Sequence, residues 1–168
     1  MVLELTFVVL KPHVVKVPSI SKEIKNIIIR NGFLVIRSKE KILNPNDLQM
    51  FYGEHKNKFF YNRLISFMSS GPIEAYVLAR ENAIHKWREL MGPTRVFEAQ
   101  FSAPDTIRGK FGLTDTRNAT HGSDSTESAR REMSILFPDF DPIQWLKTNE
   151  NHFRGDGEKL SENISSFL

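Results

Sequence analysis

No cysteine occurs in the 168 residues. That excludes a disulfide framework and any thiolate metal site, and it suits a reducing compartment. Charge of one sign is not concentrated either: 23 basic and 20 acidic side chains interleave, leaving a formal charge of +3. No Lys/Arg run is long enough to follow a nucleic-acid backbone, so a nucleic-acid partner is not expected. Apolar runs are short. In the first ten residues Glu4 interrupts the run and Lys11 ends it, with no basic region in front, so neither a membrane span nor a cleavable signal is expected. The sequons Asn118-Ala119-Thr120 and Asn163-Ile164-Ser165 then carry no expectation of glycosylation. The loop Gly-x-x-x-x-Gly-Lys-Ser/Thr is missing, as is any repeat of fixed period.

The chain does contain 40% apolar residues, enough for one buried core in a length short for two domains. Residues 3 to 10 read as a buried strand. Ser19 and Ser21 offer helix starts, Ile20, Ile24, Ile27 and Ile28 repeat at helical spacing, and Gly32 supplies the stop. Residues 33 to 42 read as a second strand. Asn44-Pro45 opens a helix through about His55, with proline at the first helical position and Leu48, Phe51 and Tyr52 inward. A helix over Phe59 to Met68 and a third strand over Ile73 to Ala79 follow. Asn82 is placed to cap the helix ending near Met91-Gly92, and Pro93 to Pro104 shows no periodicity. A fourth strand over residues 117 to 121 precedes a helix through Phe137 with Ser123, Asp124 and Ser125 as cap candidates. This order predicts an α/β sandwich of ferredoxin-like type, with helices covering one face of a four-stranded antiparallel sheet.

The densest chemistry is the run Asn118-Ala119-Thr120-His121-Gly122-Ser123-Asp124-Ser125, followed by Glu132 on the next predicted helix. An imidazole can take a phosphoryl group and pass it on when an acceptor holds its other nitrogen. With no P-loop, phosphates would have to be held by side chains. Arg88 and Arg108 suit this, because guanidinium stays charged and donates two parallel hydrogen bonds, and Thr94 adds a hydroxyl.

The run resembles the active-site signature of nucleoside diphosphate kinases, Asn-x-x-His-Gly-Ser-Asp. Other landmarks stand in the family's order: Lys11-Pro12, Phe51-Tyr52-Gly53-Glu54-His55, Phe59-Phe60, Ser70-Gly71-Pro72, Arg88, Met91-Gly92-Pro93-Thr94 and Ile107-Arg108-Gly109-Lys110-Phe111. The resemblance covers roughly residues 3 to 138. It implies the ferredoxin-like fold for a kinase domain over 1–138, and a phosphotransferase working through phospho-His121. A nucleoside triphosphate such as ATP would be the donor, a nucleoside diphosphate the acceptor, and Mg²⁺ would be bound through the nucleotide phosphates. By the same resemblance Glu132 fixes the histidine tautomer, and Ser123 and Tyr52 complete the polar network. Lys11 and Asn118 serve the sugar, Phe59 stacks on the base, and Arg88, Thr94 and Arg108 hold phosphate; no protein-bound metal is implied. Stacking uses the π-face of any base, so broad nucleotide specificity is the expectation.

Departures point to a subgroup. His13 replaces the aspartate of Lys-Pro-Asp, three residues rather than four separate His55 from Phe59, and fourteen positions separate Thr94 from Arg108. With the polar tail over 139–168, these features most resemble the divergent sixth-type members, which are associated with mitochondria and with weak or conditional activity. A mitochondrial or cytoplasmic compartment is the expectation. The extra residues before Arg108 disfavour the usual hexamer. The tail, anchored by Trp145, Leu146 and Phe153, is expected to be loosely docked or to bind a protein partner. The alternative function is a nucleotide-binding interaction protein dependent on such a partner.

Overall fold

The computed structural model describes residues 2–150. Strand β1 (Leu3–Leu10) pairs antiparallel with β3 (Ile73–Glu81) along its whole length, from Leu3 opposite Glu81 to Leu10 opposite Glu74. Its other edge takes the short β4 (Thr120–Gly122), with Val9 opposite His121, and β2 (Leu34–Lys41) flanks β3. The order β2-β3-β1-β4, all antiparallel, is the ferredoxin-like sheet.

Helices cover both faces of this sheet, not one. Side chains alternate along a strand. Phe7, Val9, Ala75 and Val77 therefore face one apolar cluster, closed by α3 (Pro45–Tyr52), α4 (Tyr61–Met68) and α8 (Thr126–Leu136). Val8, Leu10 and Leu78 face the other, closed by α2 (Pro18–Arg30) and α5 (Ala83–Met91) through Ile24, Ile28 and Trp87. The continuous apolar run Phe7-Val8-Val9-Leu10 in the second half of β1 is the sequence signature of such two-sided burial.

Local chemistry decides the helix ends. After the four-residue α1 (Pro12–Val15), α2 begins at Pro18 rather than at a serine cap. Ser21 instead donates to the Glu74 carboxylate at 3.1 Å, tying α2 to β3. Asn44 and Asp47 form a reciprocal capping box on α3, and a 3₁₀ turn carries the chain on through His55. Asn82 does not cap α5: it adopts φ 54°, and Glu4 of β1 accepts the amide of Ile84 at 2.9 Å. The segment after Pro93 holds two helices, α6 (Val96–Ser102) and α7 (Ile107–Phe111). Asp115 accepts the Val96 amide at 3.0 Å, and Thr106 caps α7. Ser125, of the three candidates, caps α8.

The chain stays packed beyond residue 138. Phe140 is buried under Arg37, whose guanidinium lies 4.8 Å from the ring centre. Asp141 caps α9 (Pro142–Asn149), which sets Trp145 and Leu146 against the first cluster. Phe153, the third expected anchor, lies outside the described residues. Among the described residues no helix is long and apolar enough to cross a membrane.

Candidate active site

Register places His121. Opposite Val9 on the edge strand, it shares the face of Phe7, whose ring centre is 6.4 Å from the imidazole, and that face is covered by α8. Glu132, two turns into α8, therefore meets it. Its Oε2 lies 2.7 Å from His121 Nε2 and accepts from Ser123 Oγ at 2.8 Å. Glu132 and Ser123 are buried, while the His121 side chain is about one-third exposed. An ionised carboxylate only accepts, so Nε2 carries the proton and Nδ1 keeps a free lone pair.

Gly122 permits this placement. A β-carbon there would stand 2.3 Å from Trp87 Cδ1, so only hydrogen fits between β4 and α5. Trp87 also donates from Nε1 to the His121 carbonyl at 3.4 Å.

A cavity of about 750 Å³ opens in front of the imidazole, and all ten residues singled out from the sequence except Ser123 line it. Arg108 is buried, donating to the carbonyls of Gly92 and Thr120 at 3.0 Å each. Burial and the neighbouring Arg88 charge lower its pKa to about 10, so it remains a cation at neutral pH. Gly92 makes room with φ 80°, where a β-carbon would lie 2.3 Å from Thr106 Oγ1. Lys11 donates to the Thr116 carbonyl at 3.2 Å; burial, then the Arg108 charge, pull its amine down to about 7. Asn118 donates to the Thr94 carbonyl at 3.3 Å, and its buried Oδ1 has no protein partner. Tyr52 has its phenol pushed up by burial and by Glu132. Phe59 stands 94% exposed on the rim, in edge contact with Phe60.

Sequence reasoning missed three participants. Arg131 donates to the Met50 carbonyl at 3.1 Å and stands 4.0 Å from Glu132 Oε1, steadying the carboxylate. Asp115 and Thr116 line the cavity from the loop before β4. Only the helical neighbourhood of Glu132 could have pointed to Arg131, and no local pattern marks the loop pair.

The family model for nucleoside diphosphate kinase matches residues 4–141. The chain belongs to the nucleoside diphosphate kinase family. It is similar to nucleoside diphosphate kinase 6 of Danio rerio, 54% identical over 90% of this chain and 86% of that one. Nucleoside diphosphate kinase 6 of Homo sapiens is 52% identical over 90% and 82%. The crystal structure of the Aquifex aeolicus nucleoside diphosphate kinase superposes with a TM-score of 0.75 at 36% identity, covering 84% of this chain and 97% of that one.

Within that family the departure at His13 has a clear consequence. The imidazole is buried against Phe67, ring centres 5.5 Å apart, and burial pulls it down to about 4. A neutral ring thus occupies the place of a carboxylate beside Lys11.

Proposed function

We propose that the chain transfers the γ-phosphate of a nucleoside triphosphate to a nucleoside diphosphate through phospho-His121. The observation that carries this reading is the 2.7 Å contact of Nε2 with Glu132, which leaves the other nitrogen free beside a cavity with three buried or converging cations. The Nδ1 lone pair attacks the γ-phosphorus in line, the bond to the bridging oxygen breaks, and the nucleoside diphosphate leaves with that electron pair. The ring becomes cationic as the new N–P bond forms, and the Glu132 carboxylate stabilises that charge. Arg88, Arg108 and Thr94 meet the charge on the transferring group, and Arg108 does so without having to reorganise, since it is already held by two carbonyls. An acceptor diphosphate then enters the same cavity and the steps reverse, giving ping-pong kinetics.

Lys11 and Asn118 are assigned to the ribose and Phe59 to the base. The unpaired Asn118 Oδ1 supports this, being an acceptor suited to a sugar hydroxyl. Magnesium comes to the site on the phosphate oxygens as part of the substrate. Asp124, kept ionised by its Ser128 hydrogen bond on the wall of the same cavity, is chemically suited to the ion's water shell.

The test is incubation with γ-labelled ATP and Mg²⁺, followed by a chase with GDP, using His121→Gln as control. Acid-labile label that depends on His121 and moves to GDP is the expected result. ATP binding without label would instead favour a nucleotide-binding protein whose chemistry needs a partner.

A further inference from the structure

Stacking on Phe59 gives affinity without base preference, yet the base end of the cavity also carries hydrogen-bonding groups. Asp115, Thr116, Asn118, Thr120 and His121 of one short segment all line the cavity. In chain order Asp115 is the farthest of them from His121, with the Lys11-bound Thr116 carbonyl and Asn118 between. If His121 meets the γ-phosphate and Asn118 the ribose, Asp115 stands where the base must lie. Arg63 reaches the same region from α4, the helix that follows the Phe59-Phe60 pair, and it too lines the cavity. Both side chains are exposed to the ligand space. Asp115, Arg63 and Thr116 also line an adjoining recess of about 570 Å³, so the base end is open rather than sealed.

Asp115 is not a free-swinging side chain. Its Oδ1 accepts the Val96 amide at the start of α6 at 3.0 Å, which fixes the carboxylate plane and leaves Oδ2 with lone pairs to spare. An ionised carboxylate can only accept. Guanine alone among the common bases presents two adjacent donors, N1–H and the exocyclic N2–H, on one edge, with the O6 acceptor next to them. Adenine offers an acceptor at N1, uracil flanks its single N–H with two carbonyls, and cytosine sets an acceptor beside its amine. A fixed acceptor with a guanidinium lining the same recess therefore complements guanine and opposes adenine.

We propose that Asp115, assisted by Arg63, is a specificity-determining residue that makes this pocket prefer guanine nucleotides. The inference rests on the assignment of the cavity to a nucleotide, but it does not rest on turnover. It is therefore tested by binding: calorimetric titration of the full chain with GDP and with ADP, each with Mg²⁺. Both residues are solvent-accessible, so the expected preference for GDP is at the low end for a two-bond base contact, about five- to tenfold. Asp115→Asn retains an oxygen for the Val96 amide and removes the charge; it should bring the two affinities within about twofold of each other by weakening GDP. Arg63→Gln, on an exposed helix position, should reduce the ratio without altering the fold. Equal affinities in the unsubstituted chain, or a preference that survives both substitutions, would overturn the proposal while leaving the kinase reading intact. Failure of both GDP and ADP to bind would overturn the kinase reading and this inference with it.

Discussion

Replacing Glu132 with glutamine preserves shape and removes one charge, which makes it a direct probe of the phosphohistidine mechanism. In the resting site Glu132 Oε2 holds His121 Nε2 at 2.7 Å and Ser123 Oγ at 2.8 Å. As Nδ1 bonds to phosphorus the ring gains a positive charge, with charge centres about 4 Å apart; at an effective dielectric of about 20 the attraction is about 4 kcal/mol. A glutamine oxygen still accepts the Nε2–H, which retains about 1 kcal/mol of neutral hydrogen bond. The remaining loss of about 3 kcal/mol slows phosphorylation by about a hundredfold. Water reaching the imidazole, 34% exposed, screens part of this and sets a floor near tenfold. The assay is single-turnover labelling by rapid quench at saturating Mg²⁺-ATP, paired with equilibrium ATP binding. Glu132 touches no phosphate in this mechanism, so the ATP Kd should shift by less than about twofold. Labelling slowed by less than about threefold with binding intact would refute the tautomer-and-charge role. Loss of binding in proportion to loss of rate would show that Glu132 only shapes the cavity.

Nucleotide binding at pH 8 should take up most of one proton. Lys11 titrates near 7 in the free pocket and is raised by the incoming phosphates; calorimetry in two buffers of different ionisation enthalpy reads the uptake, and Lys11→Met should abolish it. Phe59→Ala should weaken ATP by roughly 5- to 150-fold through lost stacking. Because that ring is exposed, the thermal midpoint should hardly move, and a large fall would show that Phe59 serves the fold instead. Gly122→Ala forces a β-carbon into Trp87 and should cost about 1 to 3 kcal/mol in a denaturant melt while also slowing His121 labelling, whereas an unchanged melt would mean that the β4–α5 contact is looser than the geometry requires.

Much of the site was legible because its residues sit where local rules already act. His121 could be placed on the fourth strand and Glu132 on the next helix from turn chemistry and periodicity, although β4 spans Thr120–Gly122 rather than 117 to 121 and His121 is its middle residue, not its end; their meeting follows from the register of β4 on β1. What escaped depends on contacts between distant parts of the chain. Helix α6 buries only Val96 and Ala99, too few to show a periodic stripe, and its first amide is satisfied by Asp115 nineteen positions later. Asn82 looked like a cap, yet Glu4 does that work across the sheet. The second covered face was recorded in the second half of β1, where Phe7 to Leu10 run on apolar without alternation, but a one-faced sheet was the expectation. At α9 the anchors Trp145 and Leu146 were legible, but where they pack was not, because that surface is built by other elements.

The tethers of the cations explain how this fold can keep a phosphate site ready. Lys11 and Arg108 are held in position by backbone carbonyls, of Thr116 in one case and of Gly92 and Thr120 in the other. A carboxylate partner would hold them as firmly but would neutralise the charge that the nucleotide needs. Carbonyls orient without neutralising, and the cost appears as depressed pKa values for both groups. For Lys11 the sign is definite. Its folded value near 7 lies below the unfolded 10.5, so between those pH values the unfolded chain binds more protons, and the free protein gains stability as pH rises through that window. Falling pH charges the buried amine and removes that gain. His13 acts in the same direction, because a neutral ring supplies no carboxylate charge to favour the ammonium form of Lys11. Phosphate supplies the missing negative charge, so protonation of Lys11, binding of nucleotide and relief of the Arg88–Arg108 repulsion become one coupled event.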